Sequence, residues 1–164
     1  MVSSMVGVTR GATLTAGIAF AALAVGAGCS ATAPAAKGSG MHARARLKAC
    51  GAASATLNLV DEALLTRTAI TPETIDSVAP PVRIPAGDAR LATLTAALRG
   101  LALEPATLPR FQLKLRVRVQ CADGGTLTLL GSPTGRDGRL DLSIDGEALS
   151  TRTPLRRALE ALVR

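Results

Sequence analysis

Phe111-Gln112-Leu113-Lys114-Leu115-Arg116-Val117-Arg118-Val119-Gln120 runs through Cys121-Ala122-Asp123-Gly124-Gly125 into Thr126-Leu127-Thr128-Leu129, and this stretch decides the fold. Phe111, Leu113, Leu115, Val117 and Val119 alternate with Gln112, Lys114, Arg116, Arg118 and Gln120. A period of two means a strand with one face on a core and the other, here basic, in water. Ala122-Asp123-Gly124 fits a three-residue hairpin loop, a type I turn followed by glycine in the left-handed conformation. That register sets Val119 opposite Leu127 and Val117 opposite Leu129. A two-residue turn would put Val119 opposite Thr128 and mix the faces.

A turn-rich loop, Gly131 to Gly138, leads to a third strand in which Leu140, Leu142 and Ile144 face in and Asp141, Ser143 and Asp145 face out. Upstream, Asp88 is a good N-cap for a helix with Leu91, Leu94 and Leu98 on one side, Arg90 and Arg99 outward, and Gly100 at its end. A Pro-bounded connection, Glu104 to Pro109, joins it to the basic strand. Thr153 and Pro154 supply a cap and first position for a last helix striped by Leu155, Leu159 and Leu162. Further back, Arg44, Arg46 and Lys48 alternate with Ala45, Leu47 and Ala49, which predicts a strand over Ala43–Cys50. Ser54–Ile70 fits strand pieces or a helix, with strand favoured. Four prolines make Thr71–Pro85 a loop, with a short strand at Val82–Ile84. The expected class is α+β: an antiparallel sheet, at least three strands of it C-terminal, with two helices packed on one face.

The chain has 164 residues, with 19 Lys and Arg against 12 Asp and Glu, a net charge of +7. That charge suggests an anionic neighbour: lipid headgroups, lipopolysaccharide, wall polymers or an acidic protein. Arg110, Lys114, Arg116 and Arg118 are the candidate binding row, with cations about 7 Å apart along the strand; the competing reading is a solvated sheet face. Trp and Tyr are absent and Phe111 is one of two Phe, the other lying near the N-terminus. Stacking on sugars or unpaired bases needs aromatic faces, which argues against a nucleic-acid partner. The glycines of Gly131–Gly138 lie between strands, with no helix start to receive phosphate. Asp137, Asp141 and Asp145 lack the spacing of a calcium loop. His42 has no matched nucleophile and acid. Arg152, Arg156 and Arg157 oppose the dipole of the last helix, a weak pointer to an anion site. No cofactor, metal or enzymatic activity is expected.

Val25-Gly26-Ala27-Gly28-Cys29-Ser30 follows an apolar run, Gly11 to Val25, behind the single charge of Arg10. This resembles the lipobox of bacterial lipoproteins, with Gly26 where that family usually places an aliphatic residue. The resemblance implies a signal peptide at 1–28 and Cys29 as the lipid-bearing first residue of the mature chain, carrying palmitate-type acyl chains. It implies a place in the cell envelope, facing the periplasm from the outer membrane in a Gram-negative host, since Ser30 replaces the Asp that retains such proteins at the inner membrane. An uncleaved membrane helix, which needs ~20 apolar residues, and secretion without lipid are the alternatives. Residues 29–42 then form the lipidated Cys and a flexible tether, of which Ser30 to Gly40 reaches about 18 Å on average, and 43–164 a single domain. With Cys29 assigned to lipid, Cys50 and Cys121 remain as a pair in an oxidising compartment. A disulfide between them is expected, with two buried thiols as the alternative.

From the helix at Asp88 onward, Phe111-x-Leu113-x-Leu115 and Pro154-Leu155-Arg156-Arg157-x-x-x-x-Leu162 resemble in layout the emfourin protease inhibitors, without their Gly-Gly-Phe start or short hairpin. No functional residue is carried over. The expectation is a membrane-anchored, non-catalytic module that binds an envelope protein or anionic polymer; the alternative is an inhibitor of a secreted hydrolase.

Overall fold

The computed structural model describes residues 40–108, 110–134 and 139–164. The lipobox, Cys29, Arg136 and Asp137 lie outside the described residues. In chain order the elements are α1 (Met41–Ala49), β1 (Ala52–Leu59), α2 (Ile75–Val78), β2 (Val82–Ile84), α3 (Ala89–Arg99), β3 (Leu103–Pro105), β4 (Leu115–Cys121), β5 (Thr126–Thr134), β6 (Arg139–Ile144), β7 (Glu147–Thr151) and α4 (Leu155–Val163). The strands form one sheet in the order β2-β1-β4-β5-β6-β7-β3. Every pairing is antiparallel. The α+β class follows.

The central hairpin has the register its alternation requires. Val119 pairs with Leu127 and Val117 with Leu129. Gly124, at φ 84°, takes the left-handed position of the three-residue loop. The rows continue outward, Leu57 beside Val117 on one side and Ile144 beside Leu129 on the other. Helices α1, α3 and α4 cover this face. Leu47, Leu94 and Leu159 pack there against Leu57, Val117, Leu129 and Leu142 in one buried cluster. Three helices share the face where two were expected.

The third is α1, and the strand expected over Ala43–Cys50 is corrected to this helix. Ala43, Leu47 and Cys50 sit at i, i+4 and i+7 and are buried, so the alternating cations served either period. Helix α1 also begins inside the segment read as tether, at Met41. Cys50 and Cys121 are joined by a disulfide with Cα atoms 5.1 Å apart, tying the end of α1 to the end of β4.

Three further departures have physical reasons. β5 extends through Pro133 to Thr134, into the segment read as a loop. Its pairing with β4 stops at Gly131, so the missing amide of Pro133 costs no hydrogen bond on that side. Asp145 at φ 48° and Gly146 at φ 88° form a two-residue turn that returns the chain as β7. Thr153 does not cap α4. Its hydroxyl accepts the Ala102 amide at 3.2 Å, and Pro154 holds the cap position. Arg99 is exposed and Arg90 partly so, as their outward positions on α3 require, and they donate to Cys50 O at 3.3 Å and Leu162 O at 3.2 Å.

Candidate functional site

Strand β4 carries two of the cations singled out in the sequence, Arg116 and Arg118, with Lys114 just before it, and the sheet face they occupy is partly covered. After β1 the chain does not leave the sheet; residues 60–80 fold back across the second face. Val60, Ile75, Ala79 and Leu113 are buried there, with Ile70, Val78, Phe111 and Leu130 against them. Leu113 therefore lies in the second cluster, away from Leu115. The strand begins at Leu115 instead of Phe111, and the alternation holds only from that point.

This cover changes the basic row. Lys114 and Arg116 are 7 % and 6 % exposed, not solvated. The Lys114 ammonium donates to Asp61 O at 3.1 Å and to Leu64 O. Arg116 donates from Nε to Asn58 Oδ1 at 3.1 Å, from Nη1 to Pro72 O, and from Nη2 to Asp76 Oδ1 at 2.5 Å. Asn58, fully buried, donates to Asp76 Oδ1 at 2.9 Å and Ala79 O at 2.7 Å. The Arg116 guanidinium beside Asp76, and then the Asn58 amide, hold the Asp76 carboxyl below its usual range. The Thr71 hydroxyl lowers Glu73 in the same segment. Lys114 and Arg116 thus fasten residues 60–80 to the sheet, and the candidate binding row is corrected: neither side chain is available to an external anion. A buried guanidinium requires such partners, because an unpaired one would be strongly destabilising.

Arg110 and Arg118 remain exposed. Arg110 stands in the turn before the strand. Arg118 lies on β4 one repeat beyond Arg116, where the cover ends. It pairs across strands with Thr56 on one side and Thr128 on the other. Thr56 in turn pairs with Arg83 of β2, which puts Arg83, Thr56, Arg118 and Thr128 on one line across the same face. The sequence reasoning missed Arg83, since only strand pairing brings it beside Arg118. A depression of about 240 Å³ lies at the Arg118 end of this line, lined by Ser54, Ala55, Thr56, Arg118, Gln120 and Thr126, with Arg83 outside its lining.

The arginines at the last helix do not gather into an anion site. Arg156 donates to Glu160 at 2.9 Å and to Val60 O at 2.8 Å and forms an ion pair with Glu62 at 2.9 Å, while Arg152 and Arg157 are exposed. Asp145 accepts the Thr128 amide at 2.9 Å and pairs with Arg46 at 3.3 Å, a structural use. Burial raises the Asp141 carboxyl above its usual range. His42 is exposed on α1. Among the described residues there is no group of three or more His, Cys, Asp or Glu able to hold a metal ion. Among them, too, no helix is long and apolar enough to cross a membrane.

No protein-family model, curated protein or solved structure matches this chain.

Proposed function

We propose that this is an envelope lipoprotein, anchored through acyl chains on Cys29, whose folded domain works by binding and not by chemistry. The observation that carries the reading is the Cys50–Cys121 disulfide. It pairs two of the three cysteines and leaves Cys29, at the end of the lipobox-like stretch, over. Disulfides of this structural kind belong to oxidising compartments, and an odd cysteine beside a secretion signal has lipid as its natural occupant. Each acyl CH₂ buried contributes about 0.8 kcal/mol, and two chains suffice for stable anchoring.

Binding as the activity rests on what the side chains are already used for. Lys114, Arg116, Asn58 and Asp76 hold the cover of the sheet, and Glu62 and Glu160 hold Arg156. The groups left outside this network are exposed cations and hydroxyls on the sheet. The partner that suits them is an envelope protein or polymer with negative charge.

Fractionation of the native host tests the reading. The wild-type chain is expected to sediment with envelope membranes, and Cys29→Ala to be recovered in the soluble fraction. Crosslinking followed by mass spectrometry is expected to name an envelope neighbour. Equal membrane recovery of both chains would overturn the anchor, and crosslinks to cytoplasmic proteins alone would overturn the location.

A further inference from the structure

We infer that the Arg83–Thr56–Arg118 line is a phosphate-binding site on the open part of the sheet. The inference deepens the binding reading above and names the chemistry that the domain recognises.

Half of the fourteen described arginines are engaged, Arg139 with Glu104 among them. Arg44, Arg46, Arg90, Arg99, Arg116 and Arg156 each donate to a carbonyl or carboxylate. The side chains of Arg83 and Arg118 make no hydrogen bond or ion pair among the described residues, and both residues are exposed. Other exposed cations sit in turns and loops, such as Arg67 and Arg110, or singly on helices, such as Lys48 and Arg157; Arg83 and Arg118 are set by strand pairing on either side of Thr56. Adjacent strands lie about 4.8 Å apart, so the two Cα atoms are about 10 Å apart. Two guanidinium forks at that spacing can close on one tetrahedral anion from opposite sides.

The surroundings suit phosphate. The hydroxyls of Ser54 and Thr56 have no protein partner among the described residues and lie within or beside the depression. One wall is fixed, because Gln120 donates to Gly124 O at 2.9 Å and accepts the Thr126 hydroxyl at 3.1 Å. The acid whose field reaches Arg118 is Asp76, which already holds Arg116 and Asn58. A depression of about 240 Å³ without an aromatic wall accepts one charged group and offers nothing to a sugar or base.

Amide NMR of the full chain in maltoside micelles, titrated with inorganic phosphate at constant ionic strength, tests the site. Saturable shifts are expected at Thr56, Arg83, Arg118 and Thr126. Arg83→Gln with Arg118→Gln is expected to weaken binding at least about tenfold, the loss of one or more charge-assisted hydrogen bonds. Arg118→Lys is expected to recover only part of it, and Arg157→Gln to leave it unchanged. Phosphatidylglycerol in mixed micelles distinguishes the source: shifts at the same amides assign a lipid headgroup, and shifts with inorganic phosphate alone assign a free phosphate group. Equal affinity in the double variant, or shifts spread evenly over Arg152, Arg157 and Lys48, would overturn the inference. Either result leaves the Cys29 anchor untouched, since fractionation reads it separately.

Discussion

The Glu147 carboxylate accepts the backbone N–H of Gly40 at 2.7 Å, across 107 positions of sequence. Its second oxygen takes the Ala43 amide at 2.9 Å. Helix α1 has no cap of its own: Gly40 lacks a side chain and the first turn carries no acid. A carboxylate from β7 meets two of the four amides that a helix start leaves unpaired, and its charge suits the dipole there.

Removing that cap is expected to loosen α1 selectively. Glu147→Ala should cost about 1–2 kcal/mol in denaturant unfolding. Hydrogen exchange should accelerate at Gly40 to Arg44 while the β4–β5 amides stay protected. Glu147→Gln, which retains a single carbonyl acceptor, should fall between. Unchanged exchange in α1 would show that the helix is held by packing alone.

The fastening of residues 60–80 predicts a pH dependence. Asp76 has a depressed pKa in the folded state, so its stabilisation is complete above the ordinary carboxylate value of ~4 and is lost as pH falls through the lower folded value. Asp76→Asn should therefore be less stable at neutral pH, read as a lower midpoint in urea. Its stability should also decline less steeply in acid. Asp88, lowered by Arg90, preserves part of the slope in the variant. Identical acid limbs would remove the Arg116–Asp76 pair from the account.

At Gly131 the sheet has no room for a side chain. A Cβ there would stand 2.8 Å from Leu115 Cδ2 and 3.1 Å from Leu115 Cβ. Leu115 is buried between the helices and the sheet and has little freedom to move. Gly131→Ala should cost about 1–3 kcal/mol, read as a lower midpoint in urea, and Leu115→Ala should reduce that cost in the double variant. Additive losses would mean that the close approach is relieved elsewhere.

The disulfide closes a loop spanning 71 positions. Chain entropy assigns such a loop at most about 4 kcal/mol. Cys50→Ser with Cys121→Ser should lose up to that amount, and reduction of the wild type should reproduce the loss. A reduced protein as stable as the oxidised one would contradict a structural role.

Local chemistry was legible where a single element decides it. The β4–β5 register followed from apolar rows and one Asp-Gly turn, and α3 from Asp88, whose side chain accepts the Arg90 amide at 2.9 Å. What escaped depends on distant partners. Arg116 reads as a surface cation until residues 60–80 fold over it, and nothing in that Pro-rich stretch announces a cover. Arg83 gains meaning only beside Arg118, through a strand of three residues. The alternation around Leu47 fitted strand as well as helix, and the cap that favours helix comes from Glu147. The local Asp145-Gly146 dipeptide was passed over as the end of a strand, and β7, which follows from that turn, was missed with it.

The central claim is covalent lipid on Cys29, and labelling the host with palmitate analogues tests it most directly. The account predicts label in the wild-type chain and none in Cys29→Ala. No label in the wild type, or equal label in both, would contradict it.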